Sequence, residues 1–263
     1  MEIIVLLKQV PDTETVIKIG EDGKSIATSS IKWVINPYDE YAVEAALRLK
    51  DSQGANVTIL SLGPQRMVES IRAALAMGAD KGVLVDDPAA EGSDALGKAR
   101  VLAAALKQIP HDLIFCGHRA VDDDENQVGI MVAELLDIPH LGLAVTIEMA
   151  DGLIKISRPI EGAKVQLESP MPALITLGGA HAIWQPRYAS LPGIMKAKKK
   201  PLEVKKLADL ELSPEQVGAA AAKIMVVSLK MPVPRQSGLM ISGDTAAKAK
   251  ELVRLLHEEA NVI

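Results

Sequence analysis

The chain has 263 residues, of which 48% are apolar, 2% are aromatic and 24% are charged, with a formal net charge of −5. This length corresponds to one large domain, or to one domain with an extension, and the apolar fraction is sufficient for a hydrophobic core. The acidic balance gives no general attraction to DNA or RNA, and so few aromatic residues leave few surfaces on which nucleobases could stack. We therefore expect no nucleic-acid partner.

Cysteine content and hydropathy argue against a disulfide-bonded, secreted or membrane-spanning protein. Cys116 is the only cysteine, which excludes an intrachain disulfide, and its position at the end of an apolar run favours a buried, inert thiol. The opening residues, MEIIVLLKQV, have no basic leader, and their apolar run is too short for a signal peptide. No apolar stretch reaches the length of about 18 residues that a membrane-spanning helix requires. We therefore expect a soluble, intracellular protein that does not span a membrane.

Buried strands alternate with amphipathic helices in the first half of the chain. Each predicted strand is a continuous apolar run, as expected for a strand that is buried on both faces. The predicted strands are Ile3–Leu7, Val57–Leu62, Gly82–Val85 and Leu113–Cys116, and the predicted helices cover 38–50, 64–77, 93–108 and the residues after 127. This alternation predicts an α/β fold with a doubly wound, mostly parallel sheet.

The pattern changes after Pro139. The segments Val145–Ala150 and Leu153–Ser157 predict a β-hairpin insertion, to which 165–168 could add a strand, and Met171–Leu177 is expected to return to the main sheet. The strand–helix alternation stops at about residue 200, after a lysine-rich segment. We therefore predict an α/β domain over residues 1–200 and an extended C-terminal arm over 201–263 that packs on a partner. The alternative is that the arm folds back on its own domain.

The predicted fold places a ligand site at one rim of the sheet. Ligands of doubly wound sheets bind beyond the carboxyl ends of the strands. Four segments then converge there: 6–10, 36–39, 62–64 and 117–127. In the last segment a strand passes through a glycine turn into a helix, whose free N–H groups suit a phosphate. Asp122–Asp124 are interpreted as helix-capping acids, and Asn126 and Gln127 as neutral groups that could face a ligand. Capping alone remains the alternative.

Known phosphate, metal and hydrolase motifs are absent. No G-x-G-x-x-G follows the first strand. The segment Gly92–Lys98 (GSDALGK) matches a phosphate-binding loop by letter, but Ala99 follows it without a hydroxyl, and Gly97-Lys98 is expected inside a helix. The five histidines are scattered, so no metal site is predicted.

Five segments together carry the signature of a family. They are Leu7–Asp12 (LKQVPD), Asn36–Asp39 (NPYD), Ala73–Asp80 (AALAMGAD), Ala120–Gln127 (AVDDDENQ) and Pro186–Lys200 (PRYASLPGIMKAKKK). With these segments the chain resembles the β subunit of electron transfer flavoprotein almost from end to end, and the last segment is the most specific to that family. The resemblance implies a fold like that of the adenine nucleotide α-hydrolases.

The resemblance implies one subunit of a heterodimeric electron carrier. Such a β subunit pairs with an α subunit that carries the redox FAD. The heterodimer accepts electrons from acyl-CoA-type dehydrogenases, as in fatty acid β-oxidation, and passes them to a quinone oxidoreductase or another acceptor. The β subunit would have no catalytic residues and no turnover of its own, because the flavin carries the chemistry. The resemblance implies a cytoplasmic location in a prokaryote and the mitochondrial matrix in a eukaryote.

The resemblance also implies an AMP site in this chain, on the same four segments that the sheet gathers at one rim. By position, the implied cofactor-binding residues are Leu6, Asn36, Pro37, Tyr38, Asp39, Leu62, Gly117, His118, Arg119, Ala120, Val121, Asp122, Asp123, Asp124, Glu125, Asn126, Gln127 and Val128.

Some family members bifurcate electrons and bind a second FAD in place of AMP, with a glycine in the acidic turn (D-G-D-T-A-Q). The turn of this chain, DDDENQ, resembles the AMP-binding kind, whereas KQVPDTE and NPYDEYA are closer to the bifurcating kind. We expect AMP in this subunit, with FAD in both subunits as the alternative.

The segment 185–200 resembles the loop with which the family docks a dehydrogenase. The implied docking residues are Leu191, Pro192, Ile194 and Met195, and Arg187 and Tyr188 are implied to lie toward the flavin. A stand-alone adenine-nucleotide-binding sensor of similar fold would need neither this loop nor the arm. A nucleotide-activating enzyme would need a glycine-rich phosphate loop beside Lys8, which the sequence lacks.

Overall fold

A computed structural model describes residues 1–150, 152–178, 184–234 and 237–263. The strands are β1 (Glu2–Leu6), β2 (Gln9–Pro11), β3 (Trp33–Ile35), β4 (Asn56–Leu62), β5 (Lys81–Val85), β6 (Leu113–Gly117), β7 (His140–Ala144), β8 (Thr146–Ala150), β9 (Leu153–Ile160), β10 (Ala163–Pro170), β11 (Ala173–Leu177) and β12 (Leu202–Lys205). The α-helices are α1 (Pro37–Gln53), α2 (Met67–Met77), α3 (Ala95–Lys107), α4 (Val128–Leu136), α5 (Leu191–Ala197), α6 (Gly218–Ala221) and α7 (Thr245–Arg254).

The main sheet has seven strands in the order β12-β5-β4-β1-β6-β11-β7. Every neighbouring pair in it is parallel, which confirms the predicted α/β class. The predicted hairpin is also present, extended by β10 into a three-stranded antiparallel sheet in the order β10-β9-β8. As predicted, 173–177 return to the main sheet, where β11 lies between β6 and β7.

The main sheet is covered on both faces, which explains the continuous apolar runs in its central strands. In β1, Ile3 and Val5 belong to one buried cluster with residues of α1 and α2. Ile4 and Leu6 belong to a second buried cluster with residues of α3 and α4. Side chains that alternate along a strand therefore find an apolar layer on either side, which is typical of a doubly wound sheet.

The strand order reverses direction at β1. From β1 the chain adds β4 and then β5 on one side, and β6 then joins β1 on its other side. Such a reversal separates the loops that follow the two central strands and leaves a crevice at their carboxyl ends. The fold therefore directs a ligand site to the residues that follow Leu6 and Gly117.

The predicted boundary at residue 200 is wrong. Residues 202–205 form β12, which pairs in parallel with β5 at one edge of the main sheet. Leu207, Leu210 and Val217 are buried in the cluster that contains α3. The chain divides instead into the units Met1–Val227 and Ser228–Ile263. The first part of the predicted arm thus completes the α/β unit, because its apolar side chains cover the sheet edge and α3.

The second unit, Ser228–Ile263, contains the predicted last helix. Its α7 begins where the sequence indicated, because the side chain of Asp244 accepts a hydrogen bond from the backbone N–H of Ala247 at 2.9 Å. Large apolar side chains of this unit, among them Val233, Leu239 and Met240, are exposed. Among the described residues, no helix is long and apolar enough to cross a membrane.

Candidate functional site

A cavity of about 450 Å³ lies at the carboxyl ends of β1, β4, β5 and β6, where the fold places a ligand. Its volume is within the range of about 300–1,000 Å³ that is usual for small-molecule sites. Most of the residues implied as cofactor-binding line it, namely Leu6, Asn36, Asp39, Leu62, Gly117, His118, Arg119, Ala120, Asp123, Glu125, Asn126, Gln127 and Val128.

The other implied residues do not line the cavity, namely Pro37, Tyr38, Val121, Asp122 and Asp124. Pro37 is the first residue of α1, and the Tyr38 ring lies edge-on to the His118 ring. Asp122 and Asp124 bind cations beside the cavity, and Val121 is exposed.

One wall of the cavity was not predicted from the sequence. This wall is the loop after β5, from Asp86 to Ser93, together with Lys98 and Leu102 of α3. The strand before this loop was predicted correctly at 82–85. The carboxyl end of β5 lies at the same rim of the sheet as the carboxyl ends of its neighbours. Ligands bind beyond these ends, so the loop that follows Val85 could also have been predicted to line the site.

Asp39 joins the two central strands at the floor of the cavity. Its buried carboxylate accepts hydrogen bonds from the backbone N–H groups of Lys8 and Gly117, each at 2.8 Å. Burial raises the pKa of Asp39 to about 6, although these two hydrogen bonds oppose the shift. The carboxylate therefore fixes the ends of β1 and β6 relative to the start of α1.

Gly117 has to be a glycine for this contact. A Cβ atom at position 117 would lie 2.5 Å from Cβ of Tyr38 and 2.7 Å from Oδ1 of Asp39. Both distances are shorter than real Cβ contacts, so any side chain would push α1 away from β6. The glycine thus allows the start of α1 to approach the strand end closely.

Asn36 precedes α1 as predicted, but its side chain does not cap the helix. Its Nδ2 donates to the carbonyl oxygen of Arg119 at 2.9 Å, and its Oδ1 accepts from the backbone N–H of Val121 at 3.3 Å. The buried amide therefore holds the loop between β6 and α4 against the start of α1. This loop carries most of the residues that line the cavity.

Asp122–Asp124 are not helix-capping acids, and that interpretation is wrong. The helix starts later, at Val128, and its N-cap residue Gln127 makes no side-chain capping bond. The carboxylates bind cations instead, because Lys8 approaches the loop from the end of β1 and Arg119 lies within the loop itself. Nζ of Lys8 donates to Asp122 and Asp123, each at 2.7 Å. Nη1 of Arg119 donates to Asp124 at 2.9 Å.

Among the helices that begin at the cavity, α3 and α4 differ in capping. At α3, the carboxylate of Asp94 accepts from the backbone N–H of Gly97 at 2.9 Å, so its own side chain compensates the positive helix end. At α4 no side chain does this. The turn before α4 has left-handed backbone at Asp124 (φ 55°) and Asn126 (φ 52°), a conformation that these residue types tolerate. The first N–H groups of α4 are therefore available to an anion.

The described side chains around the cavity do not form a metal centre. Among the described residues, no group of His, Cys, Asp and Glu side chains could hold a metal ion. Burial, with a smaller contribution from Asp39, raises the pKa of the Cys116 thiol well above its ordinary value. The predicted inert role of this cysteine fits that environment. The helix start of α4, which no side chain caps, is the feature of this cavity that suits an anionic group.

The central part of the segment 185–200, implied as a docking loop, is a helix. Leu191–Ala197 form α5, whose N-cap residue Ser190 accepts from the backbone N–H of Gly193 at 3.1 Å. Leu191, Ile194 and Met195 are exposed on it, and Leu191 is 80% exposed. Gly193 allows close packing on α2, because a Cβ atom there would lie 2.4 Å from the carbonyl oxygen of Ala76.

Hydrogen bonds hold α5 on α2, with one donor from α2 and one from the residues that follow α5. Nη1 of Arg72 donates to the carbonyl oxygens of Ala197 (2.6 Å) and Lys200 (2.7 Å) at the end of α5. Nζ of Lys200 donates to the carbonyl oxygens of Leu75 and Ala79 at the end of α2. Each cation thus satisfies carbonyl groups that a helix end leaves free. The exposed apolar side chains of α5 therefore stand on a fixed support.

The side chains of Arg187 and Tyr188, which the resemblance implies to lie toward the flavin, differ from each other in their contacts. The guanidinium of Arg187 binds the buried carboxylate of Glu44 at 2.8 Å and that of Asp51 at 2.9 Å. These ion pairs raise the pKa of Arg187 against the opposing effect of burial. Tyr188 is almost fully exposed. Only Tyr188 therefore has its side chain free for a partner.

Comparison with known proteins identifies the family. The model of the electron transfer flavoprotein domain matches residues 24–210. The chain is 39% identical over 264 residues to the electron transfer flavoprotein subunit beta of Bacillus subtilis (strain 168), covering 100% of both chains. It is 38% identical over 258 residues to that of Mus musculus, covering 96% of this chain and 98% of the relative. For that of Thermoanaerobacterium thermosaccharolyticum the identity is 34% over 258 residues, covering 98% of both chains. The chain therefore belongs to the electron transfer flavoprotein family, as a β subunit.

Proposed function

We propose that this chain is the nucleotide-holding and dehydrogenase-docking subunit of a non-bifurcating electron carrier. It pairs with an α subunit that carries FAD, and FAD supplies the electron-accepting chemistry when it is bound there. The carrier takes electrons from acyl-CoA-type dehydrogenases and delivers them to a quinone oxidoreductase or another acceptor. Support for this proposal comes from full-length similarity to curated β subunits, together with the cavity and the exposed apolar face of α5.

The nucleotide that we propose for the cavity is AMP, in a structural role. The uncapped start of α4 offers backbone N–H groups to one phosphate, and Asn126 and Gln127 at the same wall offer neutral hydrogen-bonding groups. Apolar side chains such as Leu6, Leu62 and Leu102 line other parts of the cavity and suit the faces of a purine. The residues present therefore fit an adenine mononucleotide.

In this role the bound nucleotide stabilises the loops rather than reacting. Asp39 and Asn36 already tie the ends of β1 and β6 and the loop after β6 to α1. A ligand bound to the folded state alone adds stability in proportion to the logarithm of its concentration over its dissociation constant. AMP would thus hold together the walls that come from β4, β5 and β6.

The main support for AMP is the helix start at Gln127–Val128, which no side chain caps and which lines the cavity. Replacing the neighbouring Asn126 by leucine tests whether AMP binds at this wall. Asn126→Leu removes the polar groups of a cavity-lining side chain, and we expect AMP binding to weaken by about 1–3 kcal/mol, roughly 5- to 150-fold. Calorimetric titration with AMP of the complex freed of nucleotide measures this change.

The matched control is Asn261→Leu. Asn261 also has left-handed backbone, with φ 50° against 52° for Asn126, but it does not line the cavity. The control therefore carries the same backbone strain without touching the ligand. Unchanged AMP affinity in Asn126→Leu would contradict the proposed contact. Purification with a second FAD in this subunit would instead favour the bifurcating alternative.

A further inference from the structure

Residues 184–187, which lead toward the start of α5, are held along one face of α1. The indole N–H of Trp184 donates to the carbonyl oxygen of Tyr41 at 3.4 Å, and the hydroxyl of Tyr41 donates to Oε1 of Gln185 at 3.1 Å. The guanidinium of Arg48 lies 5.9 Å from the centroid of the Trp184 ring, a distance at which it attracts the ring face. Tyr41 and Arg48 lie two helical turns apart, so a single stripe of α1 holds this segment.

Arg187 makes the closest contacts of this segment with α1. Its Nε donates to Oε2 of Glu44 at 2.8 Å, its Nη2 donates to Oε1 at 3.2 Å, and its backbone N–H donates to Oε2 at 3.2 Å. The side chain of Glu44 is only 3% exposed, so this carboxylate has few contacts with water. Nη2 also donates to Asp51 at 2.9 Å. Two-pronged binding fixes the plane of the guanidinium, and the same buried carboxylate fixes the backbone of Arg187 as well.

This ion pair fixes the chain close to the N-terminal end of α5. Arg187 precedes the N-cap residue Ser190 by three residues and Leu191 by four, so at most about 14 Å of extended chain separates it from Leu191. At the other end of α5, hydrogen bonds of Arg72 and Lys200 hold the helix on α2. The helix that carries the exposed apolar side chains is therefore held from both ends, on α1 through Arg187 and on α2 through Arg72 and Lys200.

We propose that the ion pair between Glu44 and Arg187 positions Leu191 for the dehydrogenase without touching the dehydrogenase itself. This inference rests on the proposed docking function of α5. The carboxylate of Glu44 is buried and the guanidinium of Arg187 is bound by two carboxylates, so neither group is offered to a partner. A surface that is already ordered loses less conformational freedom when it binds. Ordering the backbone of one additional residue weakens binding roughly 5- to 30-fold, which is the contribution that we expect from this pair.

A double-mutant cycle with Leu191→Ala tests this positioning role. Glu44→Met combined with Arg187→Met removes the ion pair without leaving a buried charge unpaired. Each variant, as the heterodimer with its α subunit, is the varied electron acceptor of an acyl-CoA dehydrogenase from the same organism. We expect the apparent Michaelis constant for the carrier to rise roughly 5- to 30-fold, with kcat and flavin content near those of the parent. In the Leu191→Ala background the same replacement should raise this constant less than about twofold, because no leucine is left to position.

The matched control is Asp12→Met combined with Lys32→Met, because these residues form a 2.7 Å ion pair outside 184–200. This control should leave the Michaelis constant unchanged. Arg187→Lys provides a second test that does not depend on the folding of the double replacement. It keeps a positive charge beside Glu44 but loses the two-pronged geometry, so it should raise the Michaelis constant only where Leu191 is present.

An unchanged Michaelis constant in both replacements of Arg187 would overturn the inference, even with a lowered melting temperature, because the ion pair would then serve folding alone. An increase by the same factor with and without Leu191 would also overturn it, because Arg187 would then act independently of the leucine. A Leu191→Ala variant that reacts with the dehydrogenase as the parent does would contradict the proposed docking function itself.

Discussion

Replacing Leu191 by alanine should weaken the interaction with the dehydrogenase without lowering the stability of the fold. Leu191 is 80% exposed on α5, so its truncation removes little buried area, and we expect the free energy of unfolding to change by less than about 0.5 kcal/mol. If a dehydrogenase pocket receives this side chain, its burial contributes roughly 1.5–3 kcal/mol to the encounter. Transient electron-transfer interfaces are small, and one central anchor can dominate them. The variant should therefore lose about ten- to hundredfold in efficiency with the cognate dehydrogenase.

Steady-state kinetics with the carrier as the varied substrate measure this loss. We expect the apparent Michaelis constant for the carrier to rise while its flavin content, AMP content and melting temperature stay near those of the parent. Val16→Ala is the matched control, because Val16 is 79% exposed but lies far along the chain from α5. A variant that melts well below the parent would mean that Leu191 contributes to the core. Unchanged stability and unchanged kinetics would mean that the dehydrogenase docks elsewhere.

Three further predictions concern the floor of the cavity and the second unit. Gly117→Ala should lower the free energy of unfolding by about 1–3 kcal/mol, because the added Cβ would lie 2.5 Å from Cβ of Tyr38. The control Gly238→Ala should leave this free energy unchanged, because Gly238 has no neighbouring atom within 4 Å of the added Cβ. Equal urea midpoints for the two variants would refute the close contact. Since burial raises the pKa of Asp39 to about 6 from 3.8, the stability that this group contributes is full below about pH 4 and is lost as the pH rises through about 6. The free energy of unfolding of the parent minus that of Asp39→Asn should therefore fall by about 3 kcal/mol between pH 4 and pH 7 in urea titrations, and a flat difference would contradict the shift. Limited proteolysis should cut the lone chain within 228–263 sooner than the heterodimer, since apolar side chains there are exposed, and equal cutting rates would argue against an α-subunit contact.

The central strands could be predicted from the sequence because they are buried on both faces. Ile3–Leu7 is an uninterrupted apolar run for that reason, and the parallel sheet followed from its alternation with helices. The edge strands could not be predicted in this way. In β12, the charged residues Glu203 and Lys205 alternate with apolar ones, and in β7 Gly142 interrupts the pattern. An edge strand has one side without a strand partner, so its sequence is less constrained.

The position of the candidate site could be predicted, but its charge arrangement could not. The sheet topology gathers residues after β1, β4 and β6 at one rim, whatever their side chains. Lys98 is an example of a cavity residue whose position could not be predicted from the sequence. Its place within a helix was predicted correctly, and this was a reason to reject a phosphate-binding loop, yet the start of that helix faces the cavity. Asp123 was interpreted as a local helix cap because nothing in its own segment shows that Lys8 approaches it.

We propose that this chain holds one adenine mononucleotide in the cavity at the ends of β1 and β6. The most direct test of this proposal is to denature the complex of this chain with its α subunit, as purified, and to quantify every released nucleotide by chromatography and mass spectrometry. We expect one AMP per copy of this chain and one FAD per heterodimer. Two FAD per heterodimer with no AMP, or no adenine mononucleotide at all, would contradict it.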